Sequence, residues 1–257
     1  MTKKTTSDYY DSHWAAFADI NYPDVKIEKV KNFFKPANNR LLKAKSLLDV
    51  GSGDGTHWYY LKKILELPIN YHGIDISKKS VEFLSKNSRE TGSTFQTMDA
   101  CQMDFPSNSF DVVFAYGVIG YTDNPQNALQ EMFRVCKPNG IVGVFSPEIT
   151  GLVRFGLQFL RSIACRLNSK GKSHLANLLV PFFGLVPSET GISLNNASWE
   201  QIREVILTDI APPHLSLISH DTIANWYSSN LFEIFSDDKE MPTSIWGVKI
   251  DAISKLG

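Results

Sequence analysis

Seven consecutive residues carry most of the chemistry this sequence offers: Asp49-Val50-Gly51-Ser52-Gly53-Asp54-Gly55. Glycine has no Cβ, so a backbone built this way turns sharply and comes close to a ligand. The apolar run Ser46 to Val50 leads into it and a helical pattern follows, which sets free helix-start amides beside the loop. A dinucleotide fingerprint needs its third glycine at position 56, where Thr56 stands. Here the glycines fall at every second residue, with an acid two before the first. A second carboxylate, Asp75, stands at the end of the next apolar run, 24 positions after Gly51. Two fixed carboxylate oxygens suit both hydroxyls of a ribose; the alternative is a helix cap beside Ser77.

The Asp-x-Gly-x-Gly-x-Gly spacing resembles motif I of the class I S-adenosylmethionine-dependent methyltransferases, of the small-molecule, type 11-like kind. Further stretches match that family in the same order: Asp75, then Met98-Asp99-Ala100, then Arg134-Val135-Cys136-Lys137-Pro138-Asn139-Gly140-Ile141. The motif-bearing resemblance covers residues 46–147. It implies a donor loop at Asp49, Gly51, Ser52 and Gly53, and a ribose site at Asp75 with Ile76 next to it. Asp99 would accept from the adenine amino group, and the Ala100 amide would meet a ring nitrogen. A backbone carbonyl near Ala115 or Tyr116 would meet the methionine amino group. Tyr121 either lines the methyl path or simply packs. The aromatic run Tyr9 to Phe17 resembles the short helix that many relatives fold over the cofactor, which makes Tyr10 the candidate for the methionine carboxylate; a plain packed flap is the other reading.

The elements that must hold these residues alternate. Strand patterns at Ser46–Val50, Tyr71–Ile76, Phe95–Met98, Phe110–Ala115 and Ile141–Phe145 are separated by helical ones, which predicts crossover units and a mostly parallel sheet covered on both faces. Ser77 and Asn124 stand as helix starts, and Asn139-Gly140 reads as a turn before the fifth strand. Thr150 to about Ala211 reads as helical with Pro and Gly interruptions. A helix at Ser219–Tyr227 and strands at Leu231–Phe235 and Ser244–Ile250 follow. With the resemblance, the expected fold is α/β: a Rossmann-like, mostly parallel seven-stranded sheet ending in an antiparallel strand, with a helical cap insertion. The expected division is 1–45 over the cofactor site, 46–149 as donor-binding core, 150–211 as cap, and 212–257 completing the sheet.

Composition narrows the function. The 257 residues are 43% hydrophobic and 21% charged, an ordinary globular mix. Lys and Arg number 26 against 27 Asp and Glu, so the basic excess usual for a nucleic-acid binder is missing. Tyr116-Gly117-Val118-Ile119 does not match the Asp/Asn-Pro-Pro-Tyr/Phe of amino-methylating DNA enzymes, Pro212-Pro213 lies in the wrong place, and no cysteine follows a proline as cytosine carbon-5 methylation needs. Nucleic acid is not expected as a partner. Cys101, Cys136 and Cys165 are scattered and odd in number, which suits a reducing compartment. No leader-like apolar run and no bilayer-spanning run is legible, so a cytoplasmic protein is expected.

The implied reaction is in-line transfer of a methyl group to an O, N or C nucleophile of a small, partly apolar metabolite. It needs a general base only if the nucleophile arrives protonated. His214, after Pro212-Pro213, is the best candidate; His220, at a helix start, is read as structural. His57 starts the helix after the glycine loop, His13 lies in the aromatic N-terminal segment, His72 begins a strand and His174 sits in a polar loop, and no spacing suggests a metal site. A nicotinamide oxidoreductase and a non-catalytic methyltransferase-like binding protein are the alternatives. Residues 151–188 carry Arg154, Arg161, Arg166, Lys170 and Lys172 and no acid. Helical spacing puts Arg154, Gln158, Arg161 and Cys165 on one face, opposite Leu152, Phe155, Phe159, Leu160, Ile163 and Leu167. The expected cap packs its apolar side inward. Its basic side is either solvated or meets an acidic substrate group, a carrier protein or a membrane surface.

Overall fold

Strands form where the apolar runs are short and bounded. The computed structural model describes residues 6–14, 24–89, 92–146, 151–183, 199–238 and 244–250. The runs become β1 (Ser46–Val50), β2 (Asn70–Asp75), β3 (Thr94–Thr97), β4 (Phe110–Tyr116) and β5 (Cys136–Phe145). They pair in parallel, and β6 (Phe232–Asp238) and β7 (Ser244–Lys249) complete a seven-stranded sheet of order β3-β2-β1-β4-β5-β7-β6. Only β7 runs against its neighbours. Adjacent residues on β1 feed opposite layers: Leu48 and Val50 join Val113, Met132 and Tyr227, while Leu47 joins Phe33, Phe34, Phe114 and Trp246. A strand buried on both sides can be apolar throughout, which is why β1 and β4 read as continuous runs rather than alternations.

The register fixes which ends meet. Val50 lies beside Ile74 on β2 and Ala115 on β4, so β1, β2 and β4 release the chain at one edge. Helices start there under local control. Ser77 accepts from the Ser80 amide to open α5 (Lys78–Asn87), and Asn124 accepts from the Asn127 amide to open α6 (Pro125–Val135). Ser219 does the same for α10 (His220–Ser229). After the glycine loop, α4 (Thr56–Trp58) passes into a π-helical turn, Tyr59–Ile64. Ahead of the sheet lie α1 (Thr6–Trp14), α2 (Asp24–Phe34) and α3 (Asn38–Leu41).

Two expectations change. The Asn139-Gly140 turn is absorbed into β5, which already starts at Cys136 opposite Phe110; Asn139 takes φ +63° and the register slips between Phe110 and Val112. The cap, α7 (Gly151–Ala164), α8 (Ser169–Phe183) and α9 (Trp199–Ile210), has a small core of its own around Leu157, Ala164, Ala176, Val180, Ile206 and Ile210. Its first helix is rotated only in part from the expected orientation: Leu160 still packs on the cap core, and Gln158 and Cys165 stay exposed. Leu157, Arg161 and Ala164 face inward, with Arg161 donating to the Pro212 carbonyl at 3.1 Å, while Phe155 and Phe159 point out. A guanidinium that finds a backbone carbonyl is satisfied while half-buried, and the burial of Leu157 and Ala164 on that side leaves the phenylalanines at the surface. The Leu152 and Arg154 side chains lie outside the described residues.

Candidate active site

At the carboxyl edge of β1 the chain enters Gly51, Gly53 and Gly55 at φ +79°, +51° and +79°, values that a side chain resists. Gly51 is constrained twice: a Cβ there would come within 2.3 Å of a Val118 methyl from the loop after β4. The loop is pinned to β2 by the Gly51 and Ser52 amides, both donating to the Ile74 carbonyl at 2.7 and 2.9 Å. Asp54 accepts from the Thr56 amide at 3.0 Å and pairs with Lys26 at 2.8 Å, holding the start of α4.

Asp75 ends β2 directly against this loop. Its Oδ2 accepts from the Gly53 amide at 2.9 Å and its Oδ1 from the Ser77 amide at 2.8 Å. Burial raises the Asp75 pKa to about 6, against the pull of those two amides, with the Asp49 and Asp11 charges adding to the rise. Each carboxylate oxygen keeps a further lone pair for a ligand hydroxyl. Ile76 is half-buried next to it, and its carbonyl accepts from Ser7 of α1 at 3.2 Å.

Asp49 lies beneath the loop, fully buried. Its Oδ2 accepts from the Tyr71 hydroxyl and lies 3.6 Å from His57 Nδ1; its Oδ1 has no hydrogen-bond partner among the described residues. The Ser52 hydroxyl is likewise buried without a partner. Ala115 is buried at the end of β4. The Tyr116 ring turns away from the cleft edge to stack on Phe145 at 4.2 Å and meet Phe33 and His57, and burial pushes its hydroxyl up to about 12. Asp99 is exposed and accepts from the Cys101 amide at 2.8 Å, closing its own turn, with Ala100 half-buried beside it.

Three more pieces cover this edge. Helix α1 is latched down by Asp11, which accepts from the Ser77 hydroxyl at 2.8 Å and the Lys79 amide at 3.1 Å. Tyr10 of the same helix is mostly buried; burial raises its phenol, the neighbouring Tyr121, Tyr9 and Asp75 add to that, and Arg161 opposes it. The loop after β4 is bound to the segment leaving the cap, where the Ser216 amide donates to the Gly120 carbonyl at 2.6 Å. There His214 Nε2 lies 3.1 Å from Asp123 Oδ1, which also accepts from Thr6 at 3.0 Å. The cap reaches the same place: Tyr9 donates to the Leu207 carbonyl at 3.4 Å, and Lys172 donates to the Ala211 carbonyl at 2.9 Å while lying over the Tyr9 ring.

Residues 48–144 match the family model described as a methyltransferase domain. The match spans 97 of the 257 residues, so a methyltransferase domain is what this stretch of the chain resembles. Over 105 residues it is 31% identical to a phosphatidylethanolamine N-methyltransferase of Cereibacter sphaeroides, covering 37% of this chain and 47% of that protein. Over 103 residues it is 31% identical to the sterol 24-C-methyltransferase erg6 of Aspergillus fumigatus, covering 38% and 27%. The chain thus spans less than half the length of these curated relatives. A solved structure of magnesium protoporphyrin IX methyltransferase from Synechocystis PCC 6803 with bound SAH (S-adenosylhomocysteine) shares the fold at a TM-score of 0.56 and 16% identity, over 95% of this chain and 97% of that one.

In and around this stretch, the structure brings Gly51, Ser52, Gly53, Asp75 and Ile76 to one edge. Tyr10, from outside the matched residues, lies above it and electrostatically close to Tyr121, and His214, also outside them, lies beside the loop that holds Tyr121. Reading the sequence missed Asp11, Asp123, Arg161 and the buried Tyr71 and His57 around Asp49. Apart from His57, eight residues from Asp49, each pairs with a residue distant in the chain, and no local spacing announces such a pair. Among the described residues no group of three His, Cys, Asp or Glu could hold a metal ion.

Proposed function

We propose that the protein transfers a methyl group from S-adenosylmethionine to a small, partly apolar acceptor. One observation carries the reading: the Asp75 carboxylate and the Gly51–Gly53 backbone lie within hydrogen-bond reach of one another at the carboxyl edge of β1 and β2. Open α/β sheets bind ligands at that edge. The residues present fit the donor. Gly51 leaves no room for a Cβ beside Val118, and Asp49 Oδ1 and the Ser52 hydroxyl are buried polar atoms without partners among the described residues. When bound, the donor supplies an electrophilic sulfonium methyl that needs no further activation.

The chain's own residues then bind and orient. Asp75 accepts the ribose diol and Asp99 the adenine amino group, with the Ala100 amide on the ring and Ile76 against it. Gly51, Ser52 and Gly53, with Asp49 beneath them, hold the amino-acid tail. The carbonyls near Ala115 and Tyr116 take its ammonium and Tyr10 its carboxylate. Tyr121 lines the methyl path. His214, its Nε2 oriented by Asp123, takes the proton when the nucleophile arrives as O–H or N–H. Holding nucleophile and methyl at about 3–3.5 Å supplies roughly 7–11 kcal/mol of the barrier. The partly apolar acceptor is supported by relatives named for sterol and phosphatidylethanolamine methylation. In this reading residues 1–45 cover the donor, 46–149 bind it, 150–211 cover the acceptor and 212–257 complete the sheet.

Titration calorimetry with S-adenosylhomocysteine and with NAD tests the reading. Micromolar binding of the first and none of the second is expected; NAD binding alone would overturn it. Release of S-adenosylhomocysteine from the methylated donor in the presence of lipid-like acceptors separates an enzyme from a binding protein.

A further inference from the structure

The outside of the cap is apolar where water should be met by polar groups. On α7, Leu157 and Ala164 enter the cap core, and the opposite side carries Phe155 and Phe159, 70% and 67% exposed, with Ile163 one turn on. On α8, Ala176 and Val180 enter the core, while Leu178 and Phe182 are 67% and 62% exposed. Single exposed apolar side chains are ordinary on a soluble protein. Stripes of phenylalanine and leucine at i, i+4 on two consecutive helices are not, and they mark an interaction surface.

Charge says what kind of surface. Residues 151–188 hold five Lys and Arg and no Asp or Glu. Arg161 and Lys172 turn inward onto backbone carbonyls. Arg166 and Lys170 stay exposed at the turn joining α7 to α8, next to the end of the phenylalanine stripe. Exposed aromatic and aliphatic side chains flanked by cations, without acids, match the headgroup–acyl boundary of an anionic bilayer. A second copy of the chain would set those cations against themselves. We propose that the outer side of the cap, through Phe155, Phe159, Ile163, Leu178 and Phe182 with Arg166 and Lys170, docks on an anionic lipid bilayer. The contact is made by the face opposite to the one that helical spacing assigned to it, and it does not depend on the donor assignment.

Co-sedimentation of the full chain with vesicles of phosphatidylcholine, alone or mixed with phosphatidylglycerol, tests this. Binding to the anionic vesicles should be at least about tenfold stronger and weaken with salt. Phe155→Ser with Phe159→Ser should lower it by about tenfold or more, and Arg166→Glu with Lys170→Glu should abolish the anionic preference. Leu178→Ser with Phe182→Ser gives an independent loss should the first pair misfold, and unchanged affinity for S-adenosylhomocysteine reports an intact core. Equal or negligible binding to both vesicles overturns the proposal. So does unchanged binding in the folded serine variants. Light scattering that shows a dimer broken by the serine variants, without vesicle binding, overturns it too and assigns the face to self-association.

Discussion

The donor edge and the cap are built on different physical terms. At the donor edge three glycines take left-handed backbone angles, one of them with no room for a methyl, and the loop they form is bonded to β2 and packed on Val118. In the cap, Gly156 is helical and a Cβ there would meet nothing within 4 Å. The cap has its own small core, and carbonyl bonds from Tyr9, Arg161 and Lys172 link it to α1 and to the chain leaving α9. One region is held by backbone geometry that admits little change. The other rests on side-chain packing and side-chain bonds to carbonyls, so its outer face can vary while the donor edge stays as it is.

Glycine substitutions break this contrast most sharply. Gly51→Ala forces a strained angle and a clash with Val118; a loss of ~1–3 kcal/mol in stability and at least about a hundredfold in S-adenosylhomocysteine affinity is expected. Adding Val118→Ala should relieve the clash but not the backbone strain, so recovery is partial. Calorimetry and thermal unfolding read both.

Asp75→Ala should weaken S-adenosylhomocysteine binding by roughly 10–100-fold, the worth of one or two charged hydrogen bonds. Acidity sharpens that assignment. Burial holds the Asp75 carboxyl at about 6, above its ordinary 3.8. Affinity for the product should therefore fall about tenfold between pH 7 and pH 5 as the carboxylate is protonated, and Asp75→Asn should flatten the profile. The sign for the ligand-free chain is opposite. A carboxyl raised in the folded state binds its proton more tightly there, so this group's stabilisation is complete below 3.8 and is lost as pH rises through about 6.

Arg161→Ala acts on the cap side. It removes one charged bond to Pro212, worth about 1 kcal/mol in thermal unfolding. It should raise the acceptor KM several-fold more than it changes donor affinity, a split that steady-state kinetics reads directly. Gly156→Ala is the smallest change, a gain of roughly 0.5–1 kcal/mol from a better helix former in open space.

What was legible in the sequence follows the same division. The Ser77 and Asn124 caps depend on neighbours within a few residues, β1 is an apolar run and the glycine loop needs backbone angles that glycine takes readily, so local residue types report them. The start of β5 depends on Cys136 pairing with Phe110, and that partner outweighs the local turn signal of Asn139-Gly140. The orientation of α7 was not legible because both of its faces carry large apolar residues. The side that turns in carries Leu157 and Ala164, which pack on Ala176, Val180, Ile206 and Ile210 of helices farther along the chain. Asp11 with Ser77 and Asp123 with His214 are long-range pairs of the same kind.

The most direct measurement is a crystal structure of the chain grown with S-adenosylhomocysteine. Ribose hydroxyls within hydrogen-bond distance of both Asp75 carboxylate oxygens, with the amino-acid tail against Gly51 and Gly53, are the expected result. An empty edge at saturating ligand, or an adenosyl group bound elsewhere on the molecule, would contradict it.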